Sequence, residues 1–241
     1  MGPVQHLSSN YGIYSLTNQA WITQCNIQKK IYPASITKLI TALVVLDYFD
    51  VKEKIIVDYA PKVPRYRADL QLGHAYTIEE LLNGLLIKSM NDIAMILATH
   101  TEKRTQQLWH QLAKKKLLQI GMHQSSFINP HGLHNKLHFT TISDLVILGL
   151  HVYQNQTIMN ILQKPKCKLF HKSKKYKIYS TTNVLLNKNG VIAGKTGYTP
   201  KAGKCFLFFF QKNSQIYLAV FAKSEKKLFK KTIQQFIKYV K

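Results

Sequence analysis

The sequence predicts a mixed α/β fold in which an antiparallel sheet, formed by both termini and flanked by helices, carries a mostly helical inserted lobe. Short alternating apolar runs near the two ends are typical of strands, whereas apolar residues between them recur with helical spacing. The 241 residues are 46% apolar, which is enough to enclose a core. We expect one domain over residues 1–241, with a sheet lobe at about 1–60 and 180–241 and a helical lobe at about 61–179.

The N-terminal elements are predicted to be a hairpin and a buried helix. Residues 11–16 and 20–23 are rich in apolar and aromatic side chains and flank a turn at 17–19, which predicts a β-hairpin. After Pro33, residues 35–47 are apolar on nearly every face beyond the first turn. Such a helix belongs inside a protein rather than on its surface.

The middle of the chain is predicted to be helical. Thr77 and Glu80 form a capping-box pattern ahead of an apolar face, and Gly121 is a typical helix stop. The predicted helices cover residues 77–86, 93–100, 106–120 and 142–152. A cleft between this lobe and the sheet is the expected place for a ligand.

The pattern changes to strands after Thr181. Three short apolar or alternating runs, separated by Gly, Pro, Lys and Asn, indicate antiparallel strands at 191–197, 205–211 and 216–222. The phenylalanine-rich run within the second of these is expected to be a core strand rather than a binding stripe. Residues 226–240 are predicted to close the chain as an amphipathic helix.

The chain is strongly basic, with 34 Lys and Arg against 11 Asp and Glu and a formal charge of +23. This charge attracts nucleic acid, anionic lipid or an anionic cell-wall polymer, and does not choose among them. The densest basic stretch has seven lysines between residues 164 and 177 and is expected to be a solvated face. Because no helix-turn-helix, zinc-finger or RNP-like pattern accompanies the charge, we expect no nucleic acid partner.

Targeting signals and cysteine usage say little about the compartment in which the protein works. No apolar run reaches the roughly eighteen residues of a membrane span, so no transmembrane segment is expected in this chain. Residues 1–10 lack the cationic start and apolar middle of a secretory signal. The cysteines Cys25, Cys167 and Cys205 are too few and too scattered for a disulfide framework or a zinc site, and each is expected to be a small buried hydrophobe.

Ser35 and Lys38 stand one turn apart at the start of the buried helix, so their side chains can touch. A serine beside a lysine is a nucleophile beside its base, provided that the amine is neutral. An apolar pocket and a second nearby cation both lower the pKa of a lysine. Ser35 is therefore the candidate nucleophile and Lys38 its candidate general base.

Two further motifs follow this pair in order. Ser89-Met90-Asn91 begins 54 residues after Ser35, and Lys195-Thr196-Gly197 begins 106 residues after that, on a predicted strand. Order, spacing and context together match the Ser-x-x-Lys, Ser-x-Asn, Lys-Thr-Gly set of penicillin-recognising serine enzymes. A second Ser-x-Asn at residues 8–10 precedes the nucleophile, and a second Ser-x-x-Lys at 224–227 falls on a predicted solvated helix face, so both are expected to be chance matches.

The match extends beyond the short motifs. The matching segments are residues 31–39, 89–92, 127–133 and 194–199, with Ala202, Gly203 and Cys205. On these residues the chain resembles the low-molecular-weight penicillin-binding proteins, the D-alanyl-D-alanine carboxypeptidases and related DD-endopeptidases of peptidase family S11. The resemblance covers essentially the whole chain and implies a DD-peptidase/β-lactamase-like fold.

The resemblance implies a serine-type D-Ala-D-Ala carboxypeptidase that acts on peptidoglycan stem peptides through an acyl-enzyme on Ser35, with β-lactam antibiotics as covalent inhibitors. Lys38 would take the Ser35 proton, and Ser89 would relay it toward the leaving amine. Asn91 would hold the substrate amide and orient Lys38. No cofactor and no metal are implied, and the location implied by this substrate is the periplasm or cell envelope, outside the cytoplasmic membrane.

The third motif supplies the remaining implied contacts with substrate. Lys195 and Thr196 would receive the terminal carboxylate, and Lys195 would also lower the pKa of Lys38. Gly197 belongs to the same substrate-binding strand. The backbone N–H of Tyr198 would form the oxyanion hole together with that of Ser35.

Three positions depart from the common pattern of the family. Met90 stands where the middle motif often has Gly, and its bulk is expected to narrow the cleft. Tyr198 stands where many members have His, although only its backbone is needed. Thr182 precedes an Asn-x-Leu-Leu run where many carboxypeptidases have Arg, which leaves a DD-endopeptidase as the alternative activity.

Three other interpretations compete with the carboxypeptidase. A class A β-lactamase needs a glutamate between the second and third motifs, and no Asp or Glu occurs from Leu145 to Ser224. The histidines His131, His134 and His138 follow a proline in a loop and are expected to pack a turn rather than bind metal. A catalytically silent relative that only binds peptidoglycan would have no chemical need for all the motif residues. Their presence in this chain therefore argues against that interpretation.

Overall fold

The computed structural model describes residues 8–240, apart from the side chain of Lys226. The strands are β1 (Asn10–Ser15), β2 (Ala20–Cys25), β3 (Lys54–Ile56), β4 (Ala75–Thr77), β5 (Lys166–His171), β6 (Lys175–Ser180), β7 (Val191–Thr199), β8 (Gly203–Lys212) and β9 (Gln215–Ser224). The helices are α1 (Thr37–Leu46), α2 (Ile78–Asn83), α3 (Asn91–Thr105), α4 (Trp109–Gln119), α5 (Ile142–Gln154), α6 (Gln156–Leu162) and α7 (Phe229–Tyr239). Most of the segment compared with a secretory signal, residues 1–7, lies outside the described residues, as does residue 241.

The main sheet has five antiparallel strands in the order β2-β1-β9-β8-β7. The two ends of the chain meet in its middle, where Tyr11 of β1 pairs with Phe221 of β9. This arrangement confirms the predicted mixed α/β fold with an antiparallel sheet formed by both termini. It also leaves β7 at one edge, so that this strand faces the segment that precedes α1.

The two faces of the sheet bury separate apolar clusters. Phe206, Phe208 and Phe210 alternate along β8 and pack with Phe229 and Phe236 of the C-terminal helix segment. The intervening β8 side chains point to the opposite face, toward the helices that come before β5 in the chain. Since a fully buried Phe contributes roughly 1.5–3 kcal/mol by leaving water, this strand stabilises both sides of the sheet. The predicted core role of the aromatic run is confirmed.

Helix α1 lies inside the protein, as its uniformly apolar sequence predicts. Every residue from Thr37 to Val45 is buried. A single 3₁₀ turn, Ala34–Ile36, precedes it, so the nucleophile candidate sits in a tight turn rather than in the α-helix itself. The predicted capping box of α2 is also present, with Thr77 and Glu80 bonding reciprocally.

The middle of the chain contains more strand than the sequence indicates. The four predicted helices exist with shifted ends, but the short β3–β4 pair and the β5–β6 hairpin were not predicted, nor was α6. The lysine-rich stretch is the β5–β6 hairpin, in which Lys166 and Lys168 are exposed while Cys167 and Leu169 are buried. Apolar and lysine residues alternate in this sequence as they do in a strand, but the many lysines led to its interpretation as a solvated face.

The remaining expectations concern Ser224, the cysteines and a membrane-spanning helix. Ser224 lies at the end of β9 and is buried, so its expected place on a solvated helix face was wrong. Cys167 and Cys205 are buried free thiols, whereas Cys25 is half-buried. Within residues 8–240, no helix combines the length and the apolar character that a membrane crossing requires.

Candidate active site

Ser35 is held in a tight turn by close backbone packing. Its neighbour Ala34 has a φ of 50°, a left-handed conformation that is uncommon for a residue with a side chain. Gly132 packs so closely that a Cβ there would lie 1.9 Å from the Ala34 carbonyl oxygen. A Cβ on Gly197 would lie 3.0 Å from both the Pro33 carbonyl oxygen and the Ser35 nitrogen. Both glycines therefore permit the contacts that fix this turn.

Lys38 is fully buried behind Ser35. Its Nζ lies 3.0 Å from Ser35 Oγ and 2.7 Å from each of two oxygens, Asn91 Oδ1 and the His131 carbonyl. A neutral amine has two N–H groups and one lone pair, so donation to those two oxygens leaves the lone pair for the Ser35 hydroxyl. The predicted contact between serine and lysine is present.

The electrostatic surroundings of Lys38 favour the neutral amine. Burial lowers its pKa well below the ordinary value, and the positive charge of Lys195 lowers it further. Lys195 is itself fully buried, and burial lowers its pKa to about 7. The protein therefore buries two lysines, and the charge of Lys195 adds to burial in disfavouring the charged state of Lys38.

Ser89 lies in the connection between α2 and α3, and Asn91 is the first residue of α3. A π-helical turn, Gly84–Lys88, leads into Ser89, whose φ of 66° is left-handed. This conformation directs the Ser89 hydroxyl to Lys195, whose Nζ donates to it at 2.9 Å. Asn91 Oδ1 accepts from Lys38, while its Nδ2 donates to the Pro64 carbonyl at 3.0 Å. Asn91 thus ties the buried amine to the loop on the other side of the cleft.

The structure brings all eight predicted site residues to one cleft at the junction of β7, α1 and α3. Ser35, Ser89, Asn91, Thr196, Gly197 and Tyr198 line two cavities that meet at the nucleophile, and Lys38 and Lys195 are buried directly behind them. Thr196 Oγ1 is hydrogen bonded to Thr182 Oγ1 at 2.7 Å. Thr182 thereby contributes a hydroxyl to the site.

The two cavities differ in chemical character. The first, of about 250 Å³, contains Ser35, Ser89 and Thr196 together with two cations, Lys88 and Lys204. The second, of about 160 Å³, is lined mainly by apolar and aromatic groups, including Pro64, Leu133 and Pro200, with Arg65 as its charged residue. Tyr66 and Tyr198 border both cavities.

Sequence reasoning missed Lys88, Lys204 and Tyr66 and misjudged Met90. In so lysine-rich a chain nothing marks two particular lysines, although Lys88 directly precedes the second motif. The expected narrowing of the cleft by Met90 was wrong, because its side chain is completely buried and contacts the core near Gly84. The left-handed Ser89 turns the adjacent Met90 away from the cleft.

The loop histidines organise the turn behind the nucleophile. His138 Nδ1 accepts from the Ile128 N–H at 3.2 Å, so its Nε2 is the nitrogen that donates to Thr37 Oγ1 at 2.8 Å. Burial lowers the pKa of His138 to about 3 and that of His131 to about 4. Across residues 8–240, no three His, Cys, Asp or Glu side chains are grouped so as to hold a metal ion.

Comparison with known proteins points to a single family. The model of the D-alanyl-D-alanine carboxypeptidase family, peptidase S11, matches residues 5–224. The chain is 26% identical over 203 residues to the D-alanyl-D-alanine carboxypeptidase DacF of Bacillus subtilis, covering 81% of this chain and 52% of that protein. It is 27% identical over 208 residues to the D-alanyl-D-alanine endopeptidase of Escherichia coli, covering 79% of this chain and 66% of that protein.

A solved structure establishes the fold independently. The D-alanyl-D-alanine carboxypeptidase of Mycobacterium tuberculosis superimposes with a TM-score of 0.88 at 22% identity, covering 99% of this chain and 91% of that one. The chain spans about half the length of the first curated relatives that it matches, 52% and 53%.

Proposed function

The chain belongs to the D-alanyl-D-alanine carboxypeptidase family, peptidase S11, and from this premise we propose that it is a serine-type D-Ala-D-Ala carboxypeptidase acting on peptidoglycan stem peptides. The observation that carries the proposal is the 3.0 Å contact between Ser35 Oγ and the buried, pKa-lowered amine of Lys38. A desolvated amine beside a hydroxyl at the mouth of a cleft is an activated nucleophile.

In the acylation step, Ser35 Oγ attacks the carbonyl carbon of the penultimate D-alanine while Lys38 Nζ accepts the hydroxyl proton. The C–N bond to the terminal residue then breaks, and the leaving amine takes a proton through Ser89, whose hydroxyl bonds to Lys195. Backbone N–H groups of Ser35 and Tyr198 would stabilise the oxyanion, an effect often worth about 3–4 kcal/mol of barrier per donor. Water then hydrolyses the ester, and Ser35 is restored.

We expect β-lactams to inhibit the protein covalently, because Ser35 would attack their ring carbonyl in the same way. The roles assigned to the remaining residues rest on their contacts. Asn91 orients Lys38 by accepting its N–H, and Thr196 and Gly197 lie on the cavity wall beside Ser35. Because peptidoglycan lies outside the cytoplasmic membrane, we propose that the protein works in the periplasm or cell envelope.

Labelling with a fluorescent penicillin tests the nucleophile. The wild-type protein should give a covalent band, and Ser35→Ala should abolish it because no other hydroxyl faces the Lys38 amine at this distance among the described residues. Ser224→Ala is the matched control, since it removes the serine of the second Ser-x-x-Lys sequence and should leave the band intact. A band that persists in Ser35→Ala, or a folded wild type that never labels, would refute the proposal and favour a silent relative.

A DD-endopeptidase is the second candidate, favoured by the similarity to the Escherichia coli endopeptidase and by Thr182. Mass spectrometry of purified muropeptides after incubation separates the two activities. Loss of a single alanine from pentapeptides is the result expected of a carboxypeptidase. Conversion of cross-linked dimers to monomers would instead show that the protein is a DD-endopeptidase.

A further inference from the structure

The cavity beside the third motif carries its positive charge on residues that the motif does not contain. Among the described residues that line this 250 Å³ space, the charged side chains are Lys88 and Lys204, and none is a carboxylate. The other polar groups are hydroxyls, those of Ser35, Ser89, Thr182, Thr196 and two tyrosines. Cations combined with hydroxyl donors are the chemistry that binds a carboxylate.

Lys195, the lysine expected to receive the terminal carboxylate, is not placed to do so. Its side chain has no exposed surface and is not part of the cavity lining. Its Nζ already donates to Ser89 Oγ at 2.9 Å and to the Thr196 carbonyl at 3.2 Å. These contacts hold its Nζ against Ser89 and the Thr196 backbone rather than in the open cavity.

Lys88 and Lys204 line the cavity from two different elements. Lys88 is the last residue of the π-helical turn and directly precedes Ser89, on the helical side. Lys204 lies on β8 opposite Tyr198, and its Nζ is 5.5 Å from the centre of the Tyr198 ring and 5.0 Å from that of Phe229. The hydrogen-bonded pair Thr182 and Thr196 also lines this space.

We propose that Lys88 and Lys204 together form the subsite for the carboxylate of the leaving D-amino acid, a task that many relatives give to one arginine. This inference rests on the proposed function, and it identifies specificity-determining residues for that reaction. It also orients the substrate, because the leaving group then occupies the cationic cavity while the acyl portion occupies the largely apolar cavity on the other side of Ser35.

The test compares two peptides that differ only at the C-terminus. One is an acylated peptide ending in D-Ala-D-Ala with a free carboxylate, and the other is its C-terminal carboxamide. In the wild type, kcat/KM should be higher for the carboxylate. Lys88→Met and Lys204→Met should each lower kcat/KM for the carboxylate peptide by about 10- to 100-fold, and change it less than about threefold for the carboxamide.

Two controls separate charge recognition from loss of structure. Lys204→Arg keeps the cation and should retain most of the preference for the carboxylate. Lys201→Gln removes a charge from an exposed turn nearby and should change neither peptide's kinetics. Melting temperatures of all variants identify any that fail to fold, and Lys88→Gln then provides a second neutral substitution.

The outcomes distinguish this inference from the proposed function. Hydrolysis with an unchanged carboxylate preference in both Met variants would overturn the lysine subsite while leaving the carboxypeptidase assignment intact. Loss of the carboxylate preference in Arg65→Gln, a substitution in the other cavity, would also overturn the lysine subsite. A wild type that penicillin labels but that cleaves neither peptide would overturn the proposed function itself.

Discussion

At the scale of single residues, burial rather than ion pairing dominates the electrostatics of the candidate site. The two lysines Lys38 and Lys195 are both fully buried, and desolvation is the largest cause of their lowered pKa values. Each then donates its N–H groups to neutral oxygens rather than to a carboxylate. A carboxylate partner would stabilise the ammonium and remove the base, so neutral acceptors are what general-base catalysis requires.

We expect Lys195→Met to shift the pH dependence of acylation. In the proposed mechanism Lys38 is a base only when deprotonated, so acylation should rise with pH through the pKa of Lys38. The Lys195 charge lowers that pKa, and its removal should therefore move the midpoint of the rise to higher pH as well as slow the reaction. Stopped-flow acylation by a fluorescent penicillin between about pH 5 and 10 measures the midpoint.

A lower rate with an unchanged midpoint would contradict this coupling and leave Lys195 only its contact with Ser89. Ser89→Ala is the matched comparison, because it removes the hydroxyl partner while keeping the Lys195 charge. It should slow acylation without raising the midpoint. The pair of variants thus separates the electrostatic role of Lys195 from proton relay.

At the scale of elements, the site depends on tight turns at which chain segments approach too closely for side chains. Gly132 has a φ of +81° and would place a Cβ 1.9 Å from the Ala34 carbonyl oxygen, which is backbone and cannot move aside cheaply. Gly121 has a similar φ of +84°, but a Cβ there meets nothing within 4 Å. The two glycines therefore share conformation and differ in packing.

We expect Gly132→Ala to abolish or strongly reduce labelling of Ser35 and to destabilise the protein by more than about 3 kcal/mol, because overpacking adds to the left-handed strain. Gly121→Ala should cost only about 1–2 kcal/mol from that strain and leave labelling intact. Urea unfolding and penicillin labelling measure the two effects. Equal destabilisation by both substitutions would show that contact with the Ala34 turn is unimportant.

Helices and strands could be predicted from the sequence where their apolar residues followed one clear pattern. The N-terminal hairpin, α1 and the C-terminal strands follow from alternating or continuous apolar runs. The order, spacing and secondary-structure context of the three motifs together predicted that Ser35, Ser89 and Lys195 share one site. The β5–β6 hairpin was missed because lysines at its outward positions resemble a solvated stretch. Lys88 and Lys204 were missed because they are 116 positions apart, and only the closed sheet brings them to one cavity.

At the scale of the whole molecule, basic residues far outnumber acidic ones. The chain carries a net charge of +23, and the segment from residue 145 to residue 224 contains no acidic residue. Some surface lysines are paired, for example Lys164 with Glu79 at 3.2 Å and Lys103 with Asp58 at 2.7 Å. With 11 acidic residues against 34 basic ones, most of the charge has no opposite partner available, so self-repulsion opposes the folded state.

We therefore expect the protein to become more stable as salt is added. Screening lengths fall from about 30 Å at 0.01 M salt to about 8 Å at 0.15 M, so repulsion between exposed lysines weakens while buried contacts change little. In a domain of this size each kcal/mol gained raises Tm by about 2–4 °C, and a rise of at least this order is expected between 10 and 300 mM NaCl. Lys174 and Lys175 are exposed at the tip of the β5–β6 hairpin. Substitution of both by Gln should raise Tm at low salt and reduce the dependence of Tm on salt. Substitution of both by Arg keeps the charge and should do neither. A Tm that is independent of NaCl, or that falls with it, would mean that surface ion pairs outweigh the net repulsion despite the excess of lysine.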